Sequence, residues 1–334
     1  MTPMAGATQR SDEAAGGRFS HRGPDDALAP GDLPGRSWRR VLQRAARHIG
    51  TTRLPLLSAG IAFFAVLSIA PVLVTALSVY GAVNTPAQAL DQLSRVADML
   101  PDDLRPIVAD QLTSITTAST HVQTVRGLTA LAIALWTATT AMSSLIDALT
   151  LAYHETETRG FLRRTLLAFG FVLGGALLLG ALLTVARLLS QVLAAAPDAV
   201  QGVAPAVVWL ALGGLMSGVI AVLYRFGPDR KRARWRWVTW GATGATVLWV
   251  ATSIGLFAYV QSIGTYESTY GSLAGVAISM FWLWITVLLV VAGAAVNAEA
   301  ERQTARDSTV GSDRPLGQRG AVVADSVPPG RDVS

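Results

Sequence analysis

Apolar residues gather into six long runs, at about 56–80, 127–153, 165–193, 206–224, 238–263 and 272–298, and charge is confined to the stretches between them. Each run reaches the length of about 20 residues that a helix needs to cross the hydrocarbon core of a bilayer. A globular protein has no use for six of them. The pattern predicts an all-α, polytopic membrane protein with six transmembrane helices.

Weaker periodicities lie outside the runs. Trp38, Val41, Leu42, Ala45, Ala46 and Ile49 recur at helical spacing with arginines between them. They predict an N-terminal interfacial amphipathic helix; the alternative is a juxtamembrane helix facing solution. In 86–100, Leu90, Leu93, Ala97 and Leu100 follow helical spacing, and in 102–117 Leu104, Ile107, Val108, Leu112 and Ile115 do so again. Pro101, Asp102 and Asp103 mark a break and restart between them, acids suiting a helix N-terminus. The outer loop 81–126 is therefore expected to form a short extracytoplasmic helical cap. Residues 1–35 and 303–334 are rich in Gly, Pro, Asp and Arg without apolar periodicity, and both are expected to be disordered cytoplasmic tails. The six-span domain then occupies 36–302.

Composition agrees with this division. Of 334 residues, 51% are hydrophobic and 15% charged, which argues against the two soluble domains that the length alone would suggest. Cysteine is absent, which removes disulfides, iron–sulfur clusters, thiolate zinc and cysteine nucleophiles. The net charge of +5 would suit a nucleic-acid partner, but its distribution reads as membrane topology. Stretch 36–53 carries six arginines and no acid, loop 154–164 carries Arg159, Arg163 and Arg164, and loop 225–237 carries five arginines with Lys231. The intervening connections hold Asp91, Asp98, Asp102, Asp103 and Asp110 against three arginines, then Asp198, then Glu267. Basic and non-basic loops alternate, so both termini are expected in the cytoplasm. The first run is too long and too late for a cleavable signal peptide. Trp235, Trp237 and Trp240, interleaved with Arg234 and Arg236, read as headgroup anchors rather than a base-stacking surface, because they abut the basic end of a span.

Several segments together carry a family likeness. The first span contains Ala62-Phe63-Phe64-Ala65-Val66-Leu67-Ser68-Ile69-Ala70-Pro71, and the second contains Ile146-Asp147-Ala148-Leu149. The basic loop leads to Gly241-Ala242, and Tyr266 to Tyr270 precede Gly271-Ser272-Leu273-Ala274-Gly275. The last span holds Phe281-Trp282-Leu283-Trp284 and ends in Gly293-Ala294-Ala295-Val296-Asn297-Ala298-Glu299. In this order, over roughly 40–302, the chain resembles the YihY/BrkB family of bacterial inner-membrane proteins. It departs from the family pattern at Ala295, where members often have Glu, and at Thr150, where they often have Asn. The resemblance implies a six-span bundle in the inner membrane, an envelope association, and an old label of ribonuclease BN. The residues do not support that label. Metal-dependent hydrolysis needs clustered His and carboxylate ligands, and His21, His48, His121 and His154 are scattered along the chain. No phosphate loop, HExxH, nucleophile elbow or nucleotide fingerprint occurs. No cofactor is expected, and the protein reads as a non-enzyme.

Candidate functional residues are the polar ones inside the spans. Asp147 and Arg187 carry the charge there, and such a charge usually faces protein or water. Thr140, Ser143, Asp147, Thr150 and His154 share one helical face, which lines either a hydrated cavity or an interhelical hydrogen-bond seam. Arg187 is placed to snorkel to the outer headgroups, or to contact an anionic headgroup such as a lipid phosphate. Pro71 predicts a kink in the first span, with Ser68 and Thr75 near enough to satisfy freed backbone groups. Ser272, Ser279, Thr286 and Gly293, with Asn297 one turn on, read as a small-residue packing stripe. Gly271 with Gly275, and the series Gly170, Gly174, Gly175 and Gly180, read the same way. The candidate substrate pathway is Asp147, Ser143, Thr140, Ser68 and Asn297. It points to a transporter or flippase-like protein for a lipid or other amphipathic envelope component. A non-transporting scaffold for envelope assembly is the alternative. Membrane lipids are the expected partners, together with envelope proteins and without nucleic acid; oligomeric state is left open.

Overall fold

The computed structural model describes residues 27–83, 120–194, 197–262 and 273–326. The expected helical cap over 81–126 lies outside these residues except for its helical ends, as do residues 1–26 of the N-terminal tail and the segment from Tyr266 to Ser272.

A 3-10 turn at Pro30–Asp32 leads into α1 (Gly35–Thr51). Six long helices follow: α2 (Leu54–Val83), α3 (Thr120–Ala152), α4 (Phe161–Ala194), α5 (Asp198–Phe226), α6 (Trp235–Ser262) and α7 (Leu273–Glu301). All six are long and apolar enough to cross a membrane. A short helix, α8 (Val322–Asp325), ends the described chain. Pro71 lies inside α2, which is helical throughout.

The six long helices are neighbours in a ring. α2 packs on α3 and α7, α3 on α4, α7 on α6, and α6 on α5, while α4 and α5 touch only lightly. Packing is concentrated at the arginine-rich end, where α1, the α3–α4 loop, the α5–α6 loop and the C-terminal segment meet. There Leu54, Leu149, Tyr153, Val238, Ala294 and Ala298 are fully buried in one cluster. Away from that end α4 stands apart. Leu177, Leu178 and Leu179 on α4 are 75%, 37% and 57% exposed; consecutive residues step about 100° around a helix, so no face of α4 is covered at that level.

Glycines mark the same gradient. A Cβ on Gly241 of α6 would sit 2.5 Å from Oδ1 of Asn297 on α7, and one on Gly293 would press on the Tyr224 hydroxyl and the Gly241 carbonyl. Only glycine lets these two helices approach so closely. Gly170, Gly174, Gly175, Gly180 and Gly275 have no neighbour within reach of a Cβ. The packing role read for them is therefore corrected: two helices must cross at a glycine before its lack of a side chain matters.

The stripe on α1 divides. Val41 and Ala45 are buried, α1 packs against α7, and Leu42 stays 53% exposed. The segment 303–326, expected as part of a tail, folds back over the basic end. Its buried Arg319 donates to the carbonyls of Ala305, Arg306, Arg314 and Ala324 at 2.6–3.1 Å. Arg234 reaches the Thr309 carbonyl at 2.9 Å and Asp313 at 2.6 Å. The Val310 amide donates to the Arg232 carbonyl, and the Lys231 amide to that of Gly320. This segment is held by guanidinium–carbonyl bonds rather than by apolar periodicity, and composition does not register such bonds.

Candidate functional site

The end of α3 sets the geometry of the basic end. Its last turn closes with Glu155 N–H donating to the Thr150 carbonyl and His154 N–H to that of Leu151, a Schellman arrangement around a left-handed residue. That residue is His154, with φ 58°, where glycine would be free of the cost a Cβ incurs. The imidazole is fixed on two sides: Nε2 donates to Oε1 of Glu299 at 3.0 Å, and the ring stacks on His48 of α1 with centroids 3.9 Å apart. His48 in turn donates to the Leu151 carbonyl at 3.2 Å. Burial and the adjacent His154 hold His48 below its ordinary pKa.

Two glutamates at the end of α7 organise the rest. Glu299, 2% exposed, receives Arg44 at 2.6 Å, His154 at 3.0 Å and Arg302 at 3.1 Å. Glu301, fully buried, receives Arg230 at 2.7 Å and the Ser308 hydroxyl at 2.9 Å, and Arg230 lies 4.8 Å above the Tyr153 ring. Acids at a helix C-terminus oppose the macrodipole and are retained here by arginines from α1 and the α5–α6 loop. Burial pushes the Tyr153 hydroxyl up and would lower Arg230, whose guanidinium is instead held up by Glu301. In the adjoining loops, burial would raise Asp229, but hydrogen bonds from Thr158 and the charge of Arg159 hold its carboxyl below the usual range. The sequence pattern marks neither glutamate as a site. The available signal was two acids closing an otherwise apolar span among basic loops.

Asp147 sits one turn and a half above this layer. Its side chain is 34% exposed and faces Arg164 in the first turn of α4, 31% exposed, with Oδ1 and the guanidinium 3.2 Å apart. The pair is poorly aligned: Asp147 Oδ1 and Arg164 Nε are both buried atoms without a hydrogen bond. The sequence pattern places Arg164 in the basic loop; α4 begins at Phe161 and carries it into the span.

The other candidates fall into different surroundings. Thr140 donates to the Trp136 carbonyl and Ser68 to that of Ala65, each within its own helix. Ser143 is buried, and so is Thr150, whose hydroxyl donates to the Ile146 carbonyl and accepts from the Asp229 amide. Asn297 is 1% exposed, with Oδ1 accepting from Gly241 N–H at 2.8 Å and Nδ2 donating to the Val238 carbonyl at 3.0 Å. Both ends of its amide are spent on the α6–α7 seam, which makes it a packing residue. Thr286 accepts from Trp249 and Ser253 from Trp282, each at 3.1 Å, along the same seam. Arg187 is exposed on α4, far along that helix from Arg164. At the family departures, Ala295 is fully buried and Thr150 holds the Asp229 loop.

Among the described residues, apolar cavities open between helices toward the opposite end. One of about 780 Å³ lies between α6 and α7, lined by Gly255, Leu256, Tyr259, Ala277, Ile278 and Phe281 among others. A second of about 550 Å³ lies between α4 and α5, around Leu193, Pro205 and Trp209. Neither contains Asp147. Among the described residues no three His, Asp or Glu side chains are grouped to hold a metal ion.

The sequence profile described as Virulence factor BrkB matches residues 45–316. A ribonuclease-like protein of Bacillus subtilis (strain 168), YfkH, is 28% identical over 269 residues, covering 78% of this chain and 93% of its own length. A UPF0761 membrane protein of Janthinobacterium sp. (strain Marseille) is 27% identical over 267 residues, 78% of this chain and 59% of its own length. Another, of Ralstonia nicotianae, is 28% identical over 265 residues, 78% of this chain and 58% of its own length. The chain thus spans about three fifths of these UPF0761 relatives. No solved structure matches it.

Proposed function

The chain belongs to the Virulence factor BrkB family of integral membrane proteins, and we propose that it moves a lipid or other amphipathic envelope component across the bacterial inner membrane. The observation that carries the reading is the Asp147–Arg164 pair, one-third exposed inside the spans. A charge within a span is costly enough that it is kept against protein, water or a polar headgroup. These two charges are only partly covered by protein and are poorly aligned with each other. A headgroup meets them while its acyl chains remain in the bilayer or in the apolar clefts between loosely packed helices. The basic end faces the cytoplasm on this reading, in keeping with the excess of arginine there. No ATP-binding fingerprint occurs in the chain, so movement is passive, ion-coupled or driven by a partner.

The sealed basic end favours a second reading. Glu299, Glu301 and the folded 303–326 segment close that end with ion pairs, which suits a rigid scaffold for envelope assembly. Reconstitution separates the two. Purified protein in vesicles carrying a fluorescent lipid in one leaflet gives redistribution under the transport reading, and Asp147→Asn slows it. If the wild-type protein moves nothing and the Asn variant still complements a deletion strain, the transport reading fails. A reporter fused to the C-terminus tests orientation.

A further inference from the structure

We infer that the outer face of α1 is a docking surface for anionic phospholipids of the leaflet at the basic end, an inference that holds whether or not the protein moves lipid. Three contacts along its length pin α1 to the membrane boundary. Near its start Trp38 packs on Trp240, five residues into α6, with ring centroids 6.0 Å apart. In its middle Arg44 holds Glu299, two residues before the end of α7. It ends at Thr51, and the first span opens at Leu54. All three places are basic ends of spanning helices. The helix, about 25 Å long at 1.5 Å per residue, therefore runs across the end of the bundle rather than out into solution.

Its surface divides into three arcs. Ser37, Val41 and Ala45 are buried against the protein, with Arg44 and His48 half-buried beside them. Trp38, Leu42 and Ile49 share a second arc, where Leu42 is exposed and the other two are half-buried. Arg36, Arg39, Arg40 and Arg47 are exposed on the third, within about 100° of one another around the helix. Among the described residues none of these four side chains enters an ion pair or a hydrogen bond, whereas the inward Arg44 meets Glu299 at 2.6 Å. α1 itself contains no acid. The face thus presents uncompensated positive charge at headgroup depth, and an anionic headgroup gains from each arginine near the surface. Exposed apolar side chains lie at the same level: Leu42, Leu56 in the first turn of α2, and Trp240. They favour a lipid surface over a nucleic acid. An RNA strand takes up the charge and stacks on an indole, but it leaves the leucines in water, whereas the acyl boundary accepts them.

The test places the full-length protein in vesicles of equimolar phosphatidylglycerol, phosphatidylethanolamine and phosphatidylcholine, with brominated acyl chains carried by one lipid class at a time. The native chain has no cysteine, so Leu42→Cys supplies a unique thiol for an environment-sensitive dye. The dye is expected to be quenched by brominated lipid and shielded from aqueous iodide. Brominated phosphatidylglycerol should quench it as though enriched about tenfold over phosphatidylcholine. That enrichment should shrink in 1 M salt, where the Debye length is about 3 Å. Arg36→Gln, Arg39→Gln and Arg47→Gln together should bring it to about one. Arg163→Gln, Arg187→Gln and Arg232→Gln, three exposed arginines outside α1, should leave it in place. Quenching by iodide and not by lipid would put this face in solution and overturn the inference. Equal quenching by the lipid classes with all arginines present, a comparison that needs no arginine variant, overturns it as well. So does an equal loss from the second arginine set, which would reduce the effect to net charge. Displacement of phosphatidylglycerol by a single-stranded RNA oligonucleotide at 0.15 M salt would assign the face to nucleic acid instead.

Discussion

Arg230 and Glu301 meet at 2.7 Å with side chains 2% and 0% exposed, so a loop arginine and the last residue of α7 form an ion pair out of reach of water. Tyr153 covers the guanidinium and Ser308 completes the carboxylate. Breaking such a pair from one side strands the other charge, at a cost of about 3–5 kcal/mol. Glu301→Gln and Arg230→Ala should each lower the thermal unfolding temperature sharply in detergent. Changing both to Met should recover much of the loss, which unfolding of the double variant measures.

Glycine positions divide into two classes. Gly293→Ala and Gly241→Ala should destabilise by about 1–3 kcal/mol, because the added methyl overpacks the α6–α7 seam. Gly175→Ala, which meets nothing within 4 Å, should be neutral or slightly stabilising through helix propensity. Unfolding midpoints of the three variants check the division.

His154 holds a left-handed conformation for the sake of its ring. His154→Gly keeps the backbone and loses the Glu299 bond, while His154→Ala loses the bond and keeps the strain. The Ala variant is expected to be less stable than the Gly variant by about 1–2 kcal/mol, as compared by thermal unfolding. Equal stability would mean that the backbone strain at this position is negligible.

Docking of α1 should depend on pH. His48 titrates below its ordinary 6.5 in the folded protein because of burial, then the neighbouring His154, with Arg302 adding to the effect and Glu299 and the Leu151 carbonyl opposing it. A depressed folded pKa means the unfolded state takes up the proton first, so stability is full above pH 6.5 and falls as pH drops toward the folded value. The native chain has no cysteine, so a single Cys at the buried Val41 reports α1 docking through thiol labelling. Labelling should speed up below pH 6.5 and lose that dependence in a His48→Gln background.

Arg319 ties the C-terminal segment together through four carbonyls. Arg319→Ala should release it, and a single Cys at buried Val323 should then become reactive while the midpoint of the membrane bundle barely moves. Loss of both together would mean that the C-terminal segment and the bundle unfold as one unit.

The sequence by itself determined the six spans and the basic and non-basic alternation of their ends, because apolar run length and the placement of charge are local properties of a chain in lipid. It also placed Gly293 and Asn297 on one face, without distinguishing a pathway residue from a seam. Only the tertiary structure decided that Asn297 spends its amide on Gly241 and Val238, that α4 carries Arg164 to Asp147, and that glycines matter at the α6–α7 crossing and not along α4. Glu299 draws Arg44 from 255 positions away and Glu301 draws Arg230 from 71. Such pairings are properties of helix adjacency. Periodicity records which face of a helix is apolar and carries no information about which neighbour that face will meet.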